Sequence, residues 1–83
     1  MKLVLYQEVV LTRTIVEANL QVGDVATLID FIPHPASGEE GAVLEVFNAV
    51  GDSLAVVTVP VSAIAALRAD QVPTVRALSR TVA

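Results

Sequence analysis

Apolar and polar residues alternate from the start of the chain. Leu5, Val9 and Leu11 are available to one face and Tyr6, Glu8 and Val10 to the other, so Leu3 to Thr12 reads as a first strand. Ile15 to Val22 carries Glu17, Ala18 and Asn19 with no clean period and reads as a packed loop closed by Gly23-Asp24. Val25 to Ile32 is a second strand, because β-branched and aromatic residues occupy both faces: Val25, Thr27, Ile29 and Phe31 against Ala26, Leu28, Asp30 and Ile32. Pro33 to Gly41 is a polar loop whose prolines remove backbone donors and whose glycines permit positive φ.

The clearest local signal is a hairpin from Gly41 to Pro60. Ala42 to Asn48 and Leu54 to Pro60 are β-rich runs joined by Ala49-Val50-Gly51-Asp52-Ser53, a length that commonly places glycine in the left-handed region. After it, Val61 to Ala69 becomes alanine-rich. Ser62 is placed to cap a turn and Ile64 lies three residues from Leu67, which predicts one or two turns of α- or 3-10 helix. Val72 to Leu78 reads as a last short strand, with Pro73 marking an edge or a strand start. Strand, loop, three-strand meander, helical turn and last strand together predict an all-β fold. The expected architecture is a small SH3-like antiparallel barrel of about five strands, one domain over residues 1–83.

Composition changes this picture in one respect. The chain is 54% hydrophobic and only 17% charged, where about 45–50% and about 25% are usual. Both sides of the fourth strand are apolar: Leu54, Val56 and Thr58 alternate with Ala55, Val57 and Val59. A barrel this small turns only one side of a strand inward. The other must meet the 13–22 loop, the C-terminal segment or another chain, so a self-interface or a dedicated protein partner is expected. Phe47, Leu54, Val56 and Thr58 are the expected contact residues, with His34 in the loop at the rim.

Charge argues against nucleic acid. The net charge is −4, and the five basic residues Lys2, Arg13, Arg68, Arg76 and Arg80 are dispersed; only the last three could gather. SH3-like barrels do occur in nucleic-acid-binding proteins, so that class stays open as an alternative by fold analogy. The absence of cysteine removes disulfides and thiolate metal sites and suits a reducing cytoplasm. The first residues hold too short an apolar run for a signal peptide, and no stretch is long enough for a membrane span.

Three segments taken together, Val22 to Asp30, Leu44 to Asn48 and Gly51 to Pro60, resemble an uncharacterised family of small bacterial domains common in cyanobacteria. The resemblance covers roughly residues 5 to 78. It implies a compact β fold and supplies no activity or catalytic residue to carry over. Members often sit beside another small uncharacterised protein, which implies a protein partner.

Few residues invite chemistry. His34, between two prolines, could meet Glu39 and Glu40 to hold a divalent metal or act as a base, and this makes a small metal-dependent enzyme a further alternative. Nothing in the spacing enforces that convergence. Asp24 and Asp52 each follow a turn glycine, where a short acid bonds nearby amides, while Asp30 and Glu45 mark the solvent side of apolar strands. Ser37, Ser53 and Ser62 lack a nucleophile elbow and a neighbouring base, and Gly38-Glu39-Glu40-Gly41 puts two anions where a phosphate would sit. Phe31, Phe47 and Tyr6 are too scattered for base stacking. The sequence therefore points to a non-enzymatic interaction protein with no cofactor and no catalytic or metal residues.

Overall fold

The computed structural model describes residues 3–33 and 38–78. The protein is all-β. Five strands, β1 (Glu8–Leu11), β2 (Val25–Ile32), β3 (Gly41–Phe47), β4 (Ser53–Pro60) and β5 (Ile64–Ala66), form one antiparallel sheet in the order β4-β3-β2-β1-β5. A 3-10 turn at Val61–Ala63 leads directly into β5, which pairs back on β1. A three-strand meander, a 3-10 turn and a last strand returning to the first give the SH3-like arrangement expected from the sequence.

The inward face follows from register. Val9 pairs with Ala26 and Ala66, Leu28 with Leu44, and Leu44 with Val57, so one side of every strand contributes to a single core. Val9, Leu11, Leu28, Leu44 and Val59 are its largest fully buried side chains, each contributing about 1.5–3 kcal/mol through burial. Ile15 and Ala18 from the loop between β1 and β2 pack against the same cluster, as does Leu20. That loop is built as a 3-10 turn, Val16–Ala18, closed by Asn19 at φ 56° and bridged by Ile15 and Leu20.

β2 uses both of its apolar faces by changing phase. A bulge between Leu28 and Asp30 lets Phe31 join Ala26 and Leu28 on the core side, opposite buried Ala42. The Asp30 carboxylate accepts the Phe31 N–H at 2.8 Å and steadies the kink.

The remaining element expectations differ from the structure at several points. The last strand is Ile64–Ala66, not Val72 to Leu78, which has no regular structure. The helical turn expected within Val61 to Ala69 is present as one 3-10 turn, Val61–Ala63, and ends there because Ile64 is already extended and pairs with Leu11. Ser62 does not cap that turn with its side chain; the Glu39 carboxylate accepts its N–H instead. The first strand is also shorter than Leu3 to Thr12: the chain turns at Tyr6, held at φ 67°, before β1 begins.

Candidate functional site

Two adjoining surfaces combine apolar exposure with defined geometry. The first is the outward side of the hairpin. Glu45 opposite Val56 and Val43 opposite Thr58 face away from the core, because their neighbours Ala42, Leu44 and Val46 face into it. Phe47 is 43% and Val56 57% exposed, Thr58 is exposed and Leu54 half-buried. β4 carries no charged residue and forms an edge of the sheet, paired only with β3 among the described residues.

The turn that aligns these residues is organised by Asn48. Its Oδ1 accepts the N–H of Val50 at 3.0 Å and of Asp52 at 2.9 Å, while Gly51 adopts φ 91°. This corrects the role expected of Asp52: no backbone amide bonds to its carboxylate among the described residues, and the side chain only accepts from the Asn48 amide at 3.4 Å.

The second surface is an open groove of about 440 Å³ beside it. It is lined by Phe47 and Leu54 from the hairpin, Val25 and Thr27 from β2, Glu8 from β1 and the segment Pro73 to Leu78. An ion pair ties that segment to the residue before β2. Arg76 Nε donates to Asp24 Oδ1 at 2.7 Å and its Nη2 to Oδ2, across 52 positions of chain. The two side chains are only 28% and 15% exposed. Asp24 also accepts the Gln21 N–H at 2.8 Å, as its place after Gly23 led one to expect. The Arg76 guanidinium holds the Asp24 carboxyl below the usual carboxylate range, and Asp24 in turn raises the guanidinium.

The remaining candidates are not gathered into a site. Glu39 bonds Ser62 and Glu40 accepts the Val61 N–H through its carbonyl, while His34 lies outside the described residues. Arg68 pairs with Asp70 at 3.0 Å on the exposed surface, so it and Arg76 each face an acid of their own. Arg13 donates to the Ser62 hydroxyl at 3.2 Å. Among the described residues no group of three or more His, Asp or Glu side chains is placed to hold a metal ion, and no helix is long and apolar enough to cross a membrane.

Neither the groove nor its ion pair is legible in the sequence, where Asp24 reads as a turn residue and Arg76 as a dispersed cation. Comparison with family models, curated proteins and solved structures finds no match for this chain.

Proposed function

We propose that this protein is a non-enzymatic interaction module that associates with a second copy of itself or with one protein partner through the outward face of β3 and β4. The observation carrying this reading is the exposure of Phe47 and Val56 beside Leu54 on strands whose opposite face is already committed to the core. These side chains add nothing to the core from where they stand, and an uncharged edge strand is open to close approach by another chain. Glu45 and Thr58 supply a polar surround that fixes orientation rather than affinity.

Static light scattering across a concentration series tests the self-association half. A rise in mass with concentration is expected, reduced by Val56→Lys without loss of folding. For the partner half, tagged protein should retain a stoichiometric partner that Val56→Lys releases. A strict monomer whose captured proteins are indifferent to Val56→Lys would overturn the reading.

A further inference from the structure

We infer that the groove beside the hairpin is a binding site for an extended peptide segment that presents an arginine among small apolar residues, with Asp24 as the arginine's receptor. The inference rests on the proposed contact surface, since Phe47 and Leu54 belong to both. Its evidence is the occupant already in place.

Residues Val72 to Leu78 have no helix or strand, Pro73 to Leu78 line this groove, and one bidentate ion pair supplies the specific contact. The valines of the segment do not hold it there: Val72 is 83% and Val75 96% exposed, and Leu78 alone among its apolar side chains is half-buried. A segment bound through its arginine while its valines face solvent is a weakly held occupant, and an external segment of the same chemistry can replace it. Asp24 is suited to the role. Its carboxylate is fixed by the Gln21 amide and flanked by Gly23 at φ 92°, so it presents two oxygens in the geometry that a planar guanidinium matches. Glu8 lines the same groove and adds negative charge, while Val25, Thr27, Phe47 and Leu54 offer apolar surface for the flanking residues.

Chain residues 72–78 therefore act as a resident strap that competes with the external segment. The competition defines the test, in which the probe is a fluorescent peptide copying Val72 to Leu78 and the receptor is the full-length protein. Arg76→Ala loosens the strap, so this variant should bind the peptide at least about tenfold more tightly than the native chain does. Alanine in place of the peptide's arginine, or Asp24→Asn in the receptor, should abolish the gain. A second measurement needs no substitution: excess unlabelled peptide should shift the Arg76 side-chain Nε–H resonance of isotope-labelled native protein. Absence of binding to folded Arg76→Ala protein at millimolar peptide, equal binding by Asp24→Asn, or an unmoved Arg76 resonance at the same excess would each overturn the inference. Because Phe47 and Leu54 belong to both surfaces, the readouts are taken at a concentration where light scattering shows a monomer, and a monomer at every concentration that binds the peptide would refute only the self-association half of the proposed function.

Discussion

Asn48 holds the hairpin turn by placing one carbonyl oxygen between two backbone amides, of Val50 and Asp52. Alanine at this position leaves both amides to water and removes the constraint on the turn, and each such bond contributes about 0.5–1.5 kcal/mol. Asn48→Ala should therefore lower the unfolding free energy by about 1–2 kcal/mol, visible as a lower urea midpoint at unchanged slope. An unchanged midpoint would show that Gly51 shapes the turn without help. Asp24 makes a claim about pH. Its folded carboxyl titrates below the unfolded one because Arg76 donates to it, so its contribution is complete above the usual aspartate value of about 3.9 and is lost as pH falls through the lower, folded value. Glu39, lowered by its bonds to Ser62, acts in the same direction. Comparison of melting temperatures isolates Asp24: the gap between native protein and Asp24→Asn should close on acidification below about pH 4 and stay constant above about pH 6. Residue by residue, Asp24 was legible as a turn acid because turn chemistry is local, whereas at the hairpin turn Asn48 rather than Asp52 accepts the amides. The Arg76 partner was not legible, since a pairing across 52 positions depends on where the folded chain passes.

Among the elements, those with a period of two and a turn between them were readable, and the hairpin β3–β4 has the bounds its sequence implies. β5 was not. Ile64-Ala65-Ala66 has the composition of a helix, yet Ala66 is opposite Val9 and Ile64 opposite Leu11, where small residues let β5 close onto β1; pairing outweighs propensity over three residues. Val72 to Leu78 failed in the opposite direction. Its valines favour a strand, but Pro73 lacks a donor, and among the described residues the segment is placed by an ion pair rather than a ladder. β2 gave the right strand with its faces unresolved, because a bulge that shifts phase hides inside a run apolar on both sides. The same logic ranks substitutions along the hairpin. Leu44→Ala opens a cavity in the central core and should cost about 2–5 kcal/mol, whereas Val56→Ala on the outward side should stay within about 0.5 kcal/mol by the same denaturation measurement. Comparable losses at the two positions would mean that the outward face is not free.

For the whole molecule, an SH3-like sheet of this length saturates its core before it exhausts its apolar residues. Phe31 joins the core by way of the bulge, and Ile15, Ala18 and Leu20 fold in from the loop. Phe47 and Val56 remain outside, and Leu54, half-buried, lines the groove with the strap. The excess foreseen from composition is thus divided between a loop that covers the core and a hairpin face that stays open. We propose that this open face is where the protein meets another chain. Amide spectra of isotope-labelled protein, recorded from micromolar to millimolar concentration and again with any captured partner, test it most directly. Shifts concentrated at Phe47, Leu54, Val56 and Thr58 are predicted. Spectra unchanged at those four residues under both conditions, or shifts confined to other strands, would contradict it.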